Sequence, residues 1–145
     1  MSEKYKLQLI DDSSFHVSLR KVKFDSLGIP NDLPENTEFR LRTKDSYKIL
    51  KLTDNMVEFE FTREKFFEPA GFFAIEIVLT VDYKLKSSKN KDKEKVIERD
   101  IKNEYFKLLS PAATRASMLV SALTDIDWRS PVVDPPYPIS EDDEE

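Results

Sequence analysis

Two pairs of carboxylates sit at spacings that could support acid–base chemistry: Glu58 with Glu60, and Asp125 with Asp127. Such a pair works when burial sets one acid apart from the other. Glu58 and Glu60 alternate with Val57, Phe59 and Phe61, which places them on the solvent face of a half-buried strand, where that desolvation is lacking. Asp125 and Asp127 follow a predicted helix C-terminus, an unfavourable place for negative charge, and read as loop or hydrogen-bonding residues. The single histidine, His16, falls out of phase with Phe15, Val17 and Leu19 and reads as an exposed strand residue with no proton-transfer partner. One histidine cannot build a two-histidine metal site. With no cysteine there is no thiolate zinc site, disulfide or cysteine nucleophile. Gly28 and Gly71 are the only glycines, whereas phosphate cradles and nucleophile elbows need several close together. These absences weigh against the common enzyme classes, and the expectation is a protein that is not an enzyme, with a hydrolase built on Glu58, Glu60, Asp125 and Asp127 as the rival.

The remaining polar candidate is Arg115, the only ionisable residue between Pro111 and Thr124. It fits either an ion pair at an interface or a contact with a ligand's backbone or carboxylate, for which the guanidinium fork is suited. The segment around it predicts a helix, with Ser110 as N-cap and Pro111 at the first helical position. Ala113, Ser117 and Ser121 form a stripe of small residues, and Met118, Leu119, Val120 and Leu123 fill much of the rest. A helix without a charged face must be covered on more than one side. That makes Ala113, Arg115, Ser117, Met118, Leu119 and Ser121 candidates for a subunit interface.

Upstream, alternation predicts a strand through Phe15, Val17 and Leu19, with a bulge near Arg20 and Lys21 where the apolar parity shifts to Val22 and Phe24. Residues 25–35 hold Gly28, Pro30, Asn31 and Pro34 and read as a loop. Phe39 and Leu41 mark a short strand. A turn at Lys44, Asp45 and Ser46 precedes another strand through Tyr47, Ile49, Leu50 and Leu52, and Val57, Phe59 and Phe61 mark the next. After a break at residues 68–71, Phe73, Ile75, Ile77, Leu79, Val81, Tyr83 and Leu85 hold one parity throughout. Residues 84–95 are rich in lysine and read as a solvated loop or a basic docking site. Ile97, Ile101, Tyr105 and Leu108 share one face of an amphipathic helix ending near Leu109, which gives two C-terminal helices in all. The proline-rich run from Trp128 to Ile139 predicts an extended strap, and the acidic residues 140–145 a disordered tail. Residues 1–139 then form a single α+β domain: a four-stranded antiparallel sheet with two C-terminal helices on one face.

The chain has 145 residues, 23 of them basic and 28 acidic, and a net charge of −5, a balance that argues against general nucleic-acid binding. The N-terminus lacks the apolar stretch of a signal peptide, and no apolar run is long enough to insert in a membrane, so the expected location is cytoplasmic. Ten phenylalanines, five tyrosines and one tryptophan exceed what alternation assigns to a core. The doublets Phe66-Phe67 and Phe72-Phe73 must each send one ring to either face of a strand. The outward rings either meet another subunit or line an apolar client-binding groove, for which Phe66, Phe67, Phe72 and Trp128 are the candidates.

Three segments, Phe67–Leu85, Leu108–Thr124 and Pro131–Tyr137, resemble the SecB family of export chaperones and its distant relatives. The resemblance implies a four-stranded antiparallel sheet with helices on one side, dimers assembling into a tetramer, and apolar grooves that hold unfolded or extended polypeptide without ATP or any cofactor. It implies delivery of clients to an export motor, SecA, or, as in some relatives, guarding of an aggregation-prone antitoxin. A dedicated adaptor with one fixed partner is the alternative. The chain departs from the family pattern in placing Arg115 four residues after Pro111, in its lysine-rich insertion, and in ending on acids where a final helix is usual.

Overall fold

A computed structural model describes residues 7–86, 93–127 and 131–139. Trp128, the acidic tail and part of the lysine-rich run lie outside them. Four long strands form one antiparallel sheet: β1 (Ile10–Ser26), β2 (Arg40–Leu52), β3 (Met56–Glu68) and β4 (Phe73–Leu85), in the order β1-β4-β3-β2. Residues Val57, Phe59 and Phe61 of β3, and Phe73 to Tyr83 at every second position of β4, point to one face and are buried. The uninterrupted parity of β4 thus becomes the floor of the core. The parity change in β1 is a bulge, with the register slipping between Leu19 and Lys21. β2 differs from expectation. Lys44, Asp45 and Ser46 do not turn; they pair in register with Glu64, Arg63 and Thr62 inside one continuous strand.

At one end of the sheet the β1–β2 loop docks on the β3–β4 turn. Phe72 lies in the left-handed region (φ 63°), and its backbone exchanges hydrogen bonds with the loop: Leu27 N–H donates to its carbonyl (2.7 Å) and its own N–H to the Gly28 carbonyl (3.4 Å). Gly71 is closely packed: an added Cβ would come within 3.2 Å of Pro30 Cδ and 3.3 Å of a Phe39 ring carbon.

The expected pair of helices is one helix, α1 (Lys93–Asp127). It runs through Pro111, and its single non-helical residue is Glu104 (φ −128°, ψ 24°). Ser110 is therefore not an N-cap but an interior residue whose hydroxyl donates to the Phe106 carbonyl (2.6 Å). Proline removes one intrahelical bond, yet burial on both sides of it outweighs that loss. Leu108, Leu109, Ala112, Ala113, Ala116 and Val120 are all buried. Tyr83 reaches from β4 to donate its hydroxyl to the Leu108 carbonyl, and burial pushes that phenol's pKa up, keeping it a donor.

The N-terminal half of α1 is tied to the chain's beginning by Asp100. Its buried carboxylate accepts the N–H groups of Gln8 (3.1 Å), Leu9 (2.9 Å) and Ile10 (3.3 Å). Asp100→Ala would leave these donors unpaired, which costs about 3 kcal/mol or more. Urea unfolding should show that loss as a lower midpoint at unchanged slope.

Candidate functional site

The inward row of β3 does not stay apolar. After Val57, Phe59 and Phe61 the same parity continues with Arg63 and Lys65, both buried. Arg63 makes a two-pronged ion pair with Asp45 on β2 (Nε 2.9 Å, Nη2 2.8 Å). Lys65 donates to Asp134 Oδ1 (2.7 Å) and to Thr43 Oγ1 (2.5 Å). Asp134 belongs to the proline-rich strap, residues 131–139, which lies against these side chains and against α1. None of Arg63, Lys65, Asp45 and Asp134 was singled out from the sequence. Two cations on the apolar parity of a strand were the available signal, since a charge so placed must be paired.

The strap and α1 together leave part of the inward face uncovered. Beside the edge strand β1, Val17, Leu19 and Leu79 meet Arg115, Met118, Leu119 and Ala122 of α1 around a cavity of about 300 Å³. Leu19 is 51% exposed and Met118 64%. Phe15, Val22, Leu27 and Ile29 extend this exposed apolar margin along β1 and the loop after it. Arg115 stands at the rim, exposed, with its donors free to meet a peptide carbonyl or carboxylate. The other edge, β2, exposes Tyr47, Ile49, Leu50 and Leu52, with Tyr47 stacked on Tyr105 of α1 (5.9 Å).

Of the expected groove residues, Phe67 and Phe72 meet each other, Phe66 lies apart from them, and Trp128 is outside the described residues. Phe67 and Phe72 join Phe39 and Phe73 in an edge-to-face cluster (centroids 4.8 to 5.1 Å apart) that closes the end of the sheet. Phe66 lies on the opposite, outward face, beside a shallow cavity of about 270 Å³ that Lys23, Asp25, Glu64 and Glu76 also line. Of the interface candidates, Ala113 is buried in the chain's own core. Ser117 donates to the Asp134 carbonyl (2.6 Å), and Ser121 lines a trough with Pro131 and Val133. The strap therefore covers one side of the uncharged helix, while Met118 remains open.

Of the carboxylates first considered, Asp125 lines the trough with Pro131 and Val133, while Glu58 and Glu60 stay apart from both places. Glu58 and Glu60 face outward opposite Lys51 and Lys48, and Glu60 pairs with Lys48 (3.6 Å). Glu76 pairs with Lys21 (2.5 Å), and this contact pushes the lysine's pKa up. His16 is exposed, 3.8 Å from Asp82. Among the described residues no cluster could hold a metal ion, and no helix is long and apolar enough to cross a membrane.

No family model and no curated protein matches the sequence. Solved structures do match the fold. A SecB-like chaperone of Mycobacterium tuberculosis, in complex with a peptide from an antitoxin, aligns with a TM-score of 0.54 at 8% identity, over 85% of this chain and 89% of that one. A protein of unknown function from Streptococcus agalactiae aligns over 84% of this chain and 98% of its own, at 11% identity and a TM-score of 0.46. The fold is SecB-like, as the sequence led us to expect, with one kinked helix in place of two.

Removing Arg63 alone strands Asp45 in the interior, and Arg63→Leu should cost about 3–5 kcal/mol. Adding Asp45→Val should recover more than half of that, because an apolar pair of similar bulk needs no neutralisation. Denaturant unfolding of the two variants checks both expectations.

Proposed function

We propose that this chain binds unfolded or extended segments of other proteins and holds them without chemistry, cofactor or nucleotide. One observation carries the proposal: an apolar trough around Leu19 and Met118 lies uncovered beside the unpaired edge of β1. A strand edge offers peptide hydrogen bonds to any extended chain, and the neighbouring trough takes its apolar side chains. Arg115 supplies donors for carbonyls that the edge leaves unmatched. The antitoxin peptide held by the structurally similar mycobacterial chaperone supports a polypeptide as the ligand class.

A general chaperone and a dedicated adaptor would use the same surface. They part on breadth: a chaperone suppresses aggregation of several unrelated reduced proteins, and an adaptor ignores all but one. We further propose that the chain works as a cytoplasmic homo-oligomer, a dimer or tetramer, whose subunit contact leaves the trough around Leu19 and Met118 open. Size exclusion with light scattering tests that directly, and a monomer at working concentration would sink it.

Leu19→Ser and Met118→Ser replace side chains already more than half exposed, so stability should change by less than about 0.5 kcal/mol. Together they should weaken binding of a fluorescent unfolded client about tenfold, the loss expected when roughly 1.4 kcal/mol of apolar contact is removed. Equal retention of client by the double variant would place binding elsewhere.

A further inference from the structure

The strap's main chain is hydrogen-bonded along most of its length. Val132 donates its N–H to Thr124 Oγ1 (2.6 Å), and Ile139 donates its N–H to Asp45 Oδ2 (2.7 Å). Between them, four consecutive carbonyls accept. Asp134 O takes Ser117 Oγ (2.6 Å), Pro135 O takes Arg63 Nη1 (3.1 Å), Pro136 O takes Thr114 Oγ1 (3.2 Å) and Tyr137 O takes Arg63 Nη2 (2.9 Å). Apolar anchoring is divided: Pro138 is buried and Val132, Pro135 and Ile139 are half-buried, whereas Val133 is 84% exposed and Pro131, Pro136 and Tyr137 are exposed as well. Only one strap side chain is read by charge. Asp134 meets Lys65 through Oδ1, while its buried Oδ2, 3.8 Å from Arg63 Nη1, has no hydrogen-bond partner.

Two properties of the surface beneath follow. Toward the middle of the strap it presents only donors, so it asks an occupant for carbonyls and not for N–H groups. Pro135, Pro136 and Pro138 have no N–H to leave unpaired, so proline costs nothing there. The surface also carries two buried cations but contributes only one buried carboxylate of its own, Asp45. The second negative charge comes from the strap. Any other occupant must bring one, since an unneutralised buried cation is strongly unfavourable.

We propose that the channel between the inward face of β2–β3 and the second half of α1 is a polypeptide-binding site. Its ligand class is an extended, proline-tolerant segment bearing one carboxylate, and the chain's own residues 131–139 fill it. An incoming segment of that kind competes with the strap. This rests on the polypeptide-binding reading given above and assigns it a second, self-occupied site with a chemical preference that the β1 trough lacks.

The test is a fluorescence-anisotropy titration of the full-length chain with a labelled synthetic peptide of residues 131–139. The wild-type chain should bind it weakly, because the tethered strap competes. A chain carrying Asp134→Asn should bind at least about tenfold tighter, the effect of losing a charge-assisted contact from the competitor. A chain carrying Pro135→Gly and Pro136→Gly keeps every carbonyl and every ion pair but frees the detached strap, and should bind several-fold tighter. That second chain keeps the test decisive if Asp134→Asn fails to fold. A peptide made with Asp134→Asn should bind all three chains about tenfold more weakly. Equal affinity of the peptide for the wild-type and diglycine chains, or equal affinity of the Asp and Asn peptides, would overturn the proposal. A parallel titration with a reduced unfolded protein separates the two claims. If that client binds but the peptide shows no dependence on the strap, the second site falls and the β1 trough stands. If neither ligand binds, the polypeptide-binding reading falls as well.

Discussion

Everything on the inward face of the sheet is organised by the need to neutralise Arg63 and Lys65 away from water. Neither β3 nor α1 can do it. β2 contributes Asp45, and the strap contributes Asp134 together with the carbonyls of Pro135 and Tyr137. Buried ion pairs add little net stability compared with apolar residues of the same size, but they tolerate few alternative arrangements. Here they fix the path of a segment that has almost no regular hydrogen bonding of its own. They also explain why Asp45 sits mid-strand with its carboxylate inward, and why β2 does not turn at residues 44–46.

That same interaction marks where the sequence stopped being legible. The parity of β4, its limits at Phe73 and Leu85, and the bulge beside Lys21 could all be read directly, because alternation between apolar and polar residues is a local signal. Lys44-Asp45-Ser46 carries the composition of a turn, and a buried acid awaiting an arginine from the next strand looks the same in one dimension. Ser110-Pro111 carries the signature of a helix start, yet α1 continues because Leu108, Ala112 and Ala116 are buried on one common side. In both places a long-range contact overrode a sound local rule.

The aromatic residues show the opposite effect. Their number suggested a single groove, and the doublet rule correctly separated Phe66 from Phe67. Composition could not say that Phe67 and Phe72 would close the end of the sheet with Phe39, leaving the open apolar margin to the aliphatic Leu19 and Met118. Packing geometry at the β3–β4 turn, set by the left-handed Phe72 and the contact at Gly71, decided that outcome.

The clamp at Asp100 has a temporal consequence. It joins the amides of Gln8, Leu9 and Ile10 to a carboxylate 90 to 92 positions later, and among the described residues β1 likewise finds its only strand partner in β4, after the β2–β3 hairpin. Contacts this distant are slow to close. The β2–β3–β4 meander is therefore free to assemble first, while β1, synthesised before β4, waits unpaired. During that interval Phe15, Val17, Leu19, Val22 and Phe24 of β1 have no neighbouring strand to lie against.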